Sequence, residues 1–148
     1  MVESWYGQGF ASFLFGFVRL QGHYFQGENI DTFFGGIAQG VTKRDEGNST
    51  AEIEAVRSQG GWGELWINLR PFRVPLTFSF GHGREIVDDD TVIADGARVK
   101  NFVTWGNFWW YMSANFKFGV EVAYHKTEYL ASEEGDDWKV QSSFMFVF

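Results

Sequence analysis

"KFGVEVAYHKTEY", Lys117 to Tyr129, alternates from its first residue. Phe118, Val120, Val122 and Tyr124 share one side, and Lys117, Gly119, Glu121, Ala123 and His125 share the other. A repeat of two is the geometry of a β-strand, whose successive side chains point to opposite faces. The same alternation runs through "VRLQGHY", where Val18, Leu20 and Tyr24 oppose Arg19, Gln21 and His23. In "WGELWINL", Leu65, Ile67 and Leu69 oppose Glu64, Trp66 and Asn68, and in "PLTFSFG", Leu76, Phe78 and Phe80 oppose Thr77, Ser79 and Gly81. "NFVTWGNFWWYM" is aromatic on both sides; its expected orientation puts Asn107 with the polar set and Phe108 and Trp110 with the apolar one. The closing stretch "WKVQSSFMFVF" alternates to the last residue, Phe148.

Seven strands are expected, at about 6–16, 17–28, 54–69, 74–86, 98–112, 116–130 and 138–148, and no helical period is sustained over three turns. "TFFGGIAQGV" (Thr32 to Val41) reads as a folded-in loop or a short eighth strand. The connections alternate in length. Gly16-Phe17, "RPFRV" (Arg70 to Val74) and "SANF" (Ser113 to Phe116) are short. Asn29 to Ile53, Val87 to Ala97 and Ala131 to Asp137 are long and mostly acidic. Short turns at one end and long polar loops at the other is the plan of an all-β, antiparallel, up-and-down transmembrane β-barrel.

Composition fits that plan. The 148 residues, enough for one domain, include 18 Gly, 17 Phe, 7 Trp, 2 Pro and no Cys, and 20% are aromatic. Mean hydropathy is nevertheless −0.21, as expected when apolar residues alternate with polar ones. No stretch approaches the roughly 20 apolar residues of a spanning helix; the longest, "FASFLFGFV" (Phe10 to Val18), carries Gly and Ser. Met1-Val2-Glu3-Ser4 shows no basic region ahead of an apolar one, so the chain is expected to be a mature form, a fragment or a protein that is not exported. A net charge of −7 argues against nucleic acid as a partner.

The faces indicate the solvent. A water-facing strand surface usually carries dense Lys and Glu, whereas the polar sides here mix Gly, Ala, Ser, Asn and Gln with isolated charges. Aromatic residues gather near strand ends, at Trp5-Tyr6, Trp109-Trp110-Tyr111 and Trp138, as in the interfacial girdles of membrane barrels. Phe118, Val120, Val122, Phe144 and Phe146 are therefore expected to face lipid. The alternative is a soluble ligand-binding β-barrel or sandwich with a phenylalanine core.

"GGIAQGV", "IEAVRSQGGWGELW", "FSFGHGREIVDDD", "RVKNFVTWGNFWWYMSANFKFGVEVAYHKTEYL" and the final strand, in this order, resemble the C-terminal portion of large Gram-negative outer-membrane porins, from Gly35 to Phe148. The resemblance implies passive diffusion of small polar solutes and a place in the bacterial outer membrane. It implies lipid bilayer and lipopolysaccharide as surroundings, and a possible homo-oligomer. It also implies that Phe144, Phe146 and Phe148 form the signal read by the outer-membrane assembly machinery. Such porins have about sixteen strands or more, roughly twice the number here, and complete bacterial barrels have even counts. Seven strands are therefore expected to be part of a larger barrel. An eighth strand would instead permit a small closed barrel, structural or adhesive, filled by its own side chains.

Arg19, Gln21, His23, Glu64, Asn68, Lys117, Glu121, His125, Lys139 and Gln141 are the candidate lumen-lining residues, since inward charges set pore selectivity. His23, His82 and His125 lie on three strands without the spacing of a metal pair, so no metal or other cofactor is expected. Asp88 to Asp90 and Glu133 to Asp137 could hold Ca²⁺ loosely, but read first as solvated acidic loops. The glycines of "GQGF" and "GHGRE" precede no helix and cradle no phosphate. No serine sits in a nucleophile elbow, and the chain is not expected to be an enzyme.

Overall fold

The computed structural model describes residues 2–30, 37, 39–43, 53–88 and 95–148. Among the described residues nine strands follow one another: β1 (Trp5–Phe15), β2 (Val18–Glu28), β3 (Val41–Lys43), β4 (Ile53–Ala55), β5 (Arg57–Asn68), β6 (Leu76–Val87), β7 (Arg98–Tyr111), β8 (Phe116–Tyr129) and β9 (Gly135–Phe146). The fold is all-β. Seven strands make one antiparallel sheet in the order β1-β2-β5-β6-β7-β8-β9, and β3 and β4 pair as a separate ribbon. Every neighbour in the large sheet is also the next long strand in sequence, so the chain runs up and down. The sheet is not closed: β1 and β9 are its two edges.

The long strands have 11 to 14 residues, about twice the usual length. That suffices to cross a hydrocarbon layer at a tilt, which takes about 9–11. Their turns explain the short end. Gly16 has φ +60° at the first central position between Phe15 and Val18, the position where a two-residue hairpin of type II′ requires glycine. Between β5 and β6, Pro71 lies in a 3-10 turn at Arg70–Phe72, which stops at Arg73 in the left-handed region. Phe17 and Phe72 pack edge to face at 5.0 Å and join the two turns. Asn68 faces this turn, where its Oδ1 accepts from the Arg70 N–H at 3.1 Å.

Three boundaries differ from the sequence reading. β9 begins at Gly135, paired with Thr127, so Asp136 and Asp137 are strand residues on opposite faces rather than part of an acidic loop. β9 ends at Phe146, two residues short of Phe148, although the Val147 N–H still donates to the Asn115 carbonyl at 2.9 Å. The expected strand 54–69 is divided: β5 starts at Arg57, while β4 pairs with β3, which begins at Val41 at the end of the stretch read as a loop or a short eighth strand. Residues 32–36 and 38 of the possible eighth strand lie outside the described residues, as do Asp89 and Asp90.

A small apolar core sits at the long-loop end, where Ile37, Val56, Val87 and Val99 are buried together beside Ala97 and Leu130. The β7–β8 register slips between Arg98 and Lys100, and Val99 turns into this core. Elsewhere burial is inverted. Thr77 (0% exposed), Ser79 (1%) and Glu85 (6%) are buried, while Leu20, Tyr24, Phe80, Trp138, Val140 and Phe144 are exposed. Among the described residues Phe25 is the one buried phenylalanine, so they form no phenylalanine core.

Candidate functional site on the polar face

Register fixes which side chains share a face. One set of cross-strand rows runs Leu14, Arg19, Trp66, Ser79, Asn107, Glu121, Gln141, followed by Ser12, Gln21, Glu64, Gly81, Trp105, Ala123, Lys139. The next runs Phe10, His23, Trp62, Gly83, Val103, His125, Asp137. Asn68 and Lys117 fall on this same side, opposite Thr77 and Tyr111. All ten candidate residues from the sequence therefore share one face of the sheet. The other face carries Phe15, Val18, Ile67, Phe78, Phe108, Val120, Ser142, then Phe13, Leu20, Leu65, Phe80, Gly106, Val122, Val140. Phe118, Phe144 and Phe146 join this apolar side.

The polar residues are grouped rather than scattered. Glu121 accepts from Gln141 Nε2 at 2.8 Å and from Asn107 Nδ2 at 3.3 Å, linking β7, β8 and β9. Gln21 Nε2 donates to Glu64 Oε2 at 2.6 Å, and His23 Nε2 lies 3.0 Å from Gln8 Oε1. Arg19 sits 5.2 Å over the Trp66 ring, and Lys117 sits 4.4 Å over Trp109. These cations rest on aromatic faces, an attraction worth about 0.5–1 kcal/mol at exposed sites. His125 and Lys139 share the face, opposite Asp137 and Ala123.

Several members of the face were not singled out by the sequence reading. Glu85 is buried there; Ser58 Oγ donates to its Oε1 and the Ile37 N–H to its Oε2, each at 3.2 Å. Asn101 Oδ1 accepts from Thr127 Oγ1 at 2.9 Å. Trp62, Trp105 and Trp109 also lie on this side. Trp109-Trp110-Tyr111 is thus not one girdle: Trp110 is on the apolar face, and Trp109 and Tyr111 are on the polar one.

The aromatic rings of the polar face are seated on glycines. Phe25 is directly opposite Gly60, Trp62 opposite Gly83, Trp105 opposite Gly81 and Trp109 opposite Gly119. A Cβ added at Gly81 would collide with the Trp105 indole, and one at Gly119 would come within 2.8 Å of the Trp109 ring. At Gly60, Gly81 and Gly119 the missing side chain lets an aromatic ring lie against the backbone, which restores packing that glycine alone forfeits in a strand.

Comparison of the chain with family models, curated proteins and solved structures returns no match.

Proposed function

We propose that this chain is a segment of a porin-type outer-membrane β-barrel, whose polar face lines a path for passive diffusion of small polar solutes. The observation that carries the reading is the inversion of burial in the middle of the sheet: Leu20, Leu65, Phe80 and Val122 stand exposed on one face while Thr77, Ser79 and Glu85 are buried on the other. A continuous exposed apolar face is costly in water and suited to lipid. Beyond the apolar rows the same face turns polar. Arg84 and Lys126 share one row with Tyr24 and Phe102, and Lys100 and Glu128 share the next. Such a rim suits the headgroup region, lipopolysaccharide phosphates included. The exposed Phe144, Phe146 and Phe148 ridge is the part offered to the assembly machinery.

The open edges support a segment of a larger wall. Unpaired N–H and C=O groups cannot sit in hydrocarbon, so β1 and β9 need further strands or further copies of the chain beside them. The runner-up, a small closed barrel, would need an eighth strand between these edges.

Vesicles made with brominated phosphatidylcholine test the orientation. Lipid bromine should quench Trp110 and Trp138, while aqueous iodide should quench Trp62 and Trp105, each followed in a variant that keeps one tryptophan. Quenching of all four by iodide alone, with no membrane partition, rules the reading out. In planar bilayers the chain alone should give no steady, uniform conductance steps; stable steps from a monomer would refute the segment assignment.

A further inference from the structure

Phe25, Trp62 and Trp105 line a cavity of about 540 Å³ on the polar face, together with His23, Glu85 and Asn101. Its walls come from β2, β5, β6 and β7, and Gln8 of the edge strand β1 closes one side. We propose that this cavity is a binding subsite for a neutral pyranose sugar, an inference that rests on the diffusion role above and names its solute class.

The argument begins with the rings. Phe25 and Trp105 lie against Gly60 and Gly81, with backbone on one side and the cavity on the other. A pyranose has a flat side of C–H bonds, weakly positive, which complements the negative face of an aromatic ring. Its hydroxyls project around the rim and need donors and acceptors there. The cavity supplies both. Glu85 lines the cavity with a carboxylate fixed in place by Ser58 Oγ and the Ile37 N–H. Asn101 is oriented by Thr127, which leaves its amide nitrogen as the donor end. His23 is positioned against Gln8. A few fixed polar groups among aromatic walls is the usual make-up of a small-ligand site, and the volume lies within the common range of about 300–1,000 Å³. Weak binding is what a path for diffusion requires, since a solute must leave as readily as it enters.

The test is a tryptophan-fluorescence titration of the full chain in detergent micelles, where no pore is needed. Methyl α-glucopyranoside should give a saturable change in the millimolar range. Sorbitol, which has hydroxyls but no flat ring, should give a much weaker one. Trp62→Ala and Trp105→Ala should each weaken glucoside binding about tenfold, whereas Trp110→Ala, on the opposite face, should leave it unchanged. Trp105→Phe keeps a ring over Gly81 and should retain most of the affinity. A response to glucoside no greater than that to sorbitol in the unaltered chain overturns the proposal, and so does preferential binding of choline. Loss of the sugar response with lipid quenching intact removes the sugar site alone; loss of lipid quenching removes the porin reading.

Discussion

Asn115 and Val147 are joined by two hydrogen bonds: the Val147 N–H donates to the Asn115 carbonyl at 2.9 Å, and Asn115 Nδ2 donates to the Val147 carbonyl at 2.8 Å. The β7–β8 turn thereby holds the end of the chain and sets where Phe148 stands. Asn115→Ala removes one bond and should cost about 1 kcal/mol. Urea unfolding in micelles reads the loss, and carboxypeptidase should trim Val147 and Phe148 faster. Deleting Phe148 should leave micellar stability nearly unchanged yet lower outer-membrane yield in cells; equal yield would refute the assembly role proposed for it.

Val122 stands on the apolar face between Gly106 and Val140. Arg at that place should cost about 2–4 kcal/mol if lipid surrounds it at mid-depth. Ser143→Arg, on the polar face of the same sheet, should be tolerated. Ala123 is a poor control because it is only 3% exposed and pairs with Trp105. Partition into vesicles measures both variants, and equal partition would contradict the orientation.

Gly81 and Gly63 make a second contrast. Gly81→Val collides with the Trp105 indole and should destabilise by about 1–3 kcal/mol, the usual range for overpacking. A side chain at Gly63 meets nothing within 4 Å. Gly63→Ala should therefore be neutral or stabilise by about 0.5–1 kcal/mol, the difference between the two residues in a strand. Midpoints of chemical unfolding separate the two outcomes.

Glu121 ties Asn107 to Gln141, so its partners should not behave independently. Glu121→Ala and Gln141→Ala together should cost less than the sum of the singles, with a coupling of about 0.5–1.5 kcal/mol. Additive losses in a double-mutant cycle would show that the contact contributes nothing.

Much of this architecture was legible from alternation alone, and the reasons for the exceptions are physical. In β8 apolar residues hold one side and polar or small ones the other, so Phe118 to Tyr124 announce both strand and face. In β7 aromatic residues occupy both sides, and only the pairing of Trp109 with Gly119 and of Gly106 with Phe80 explains why. Read along the chain, those glycines look like interruptions. Read across it, each is the space a neighbouring ring occupies, and that needs a register which alternation does not supply. Glu85 was missed for a similar reason: "GHGREIV" places charges on both sides, and burial of Glu85 depends on Ser58 and Ile37 from other parts of the chain. Asp136 and Asp137 looked like loop because of their charge, yet β8 offered unpaired backbone as far as Thr127 and they joined it.

The strand order has a kinetic consequence. From β6 to β9 each strand pairs with the one made just before it, across connections no longer than residues 88–97. Only the β2–β5 pairing must close residues 29–56, an entropic cost about 1 kcal/mol greater by the logarithmic rule for flexible chains. Short-range pairings form fastest. The five C-terminal strands should therefore zip together as a nucleus, with the β1–β2 hairpin arriving late as a preformed unit. Pulse-labelled amide exchange during refolding should show β7 and β8 protected first, and the last amides to be protected should be those where β2 meets β5.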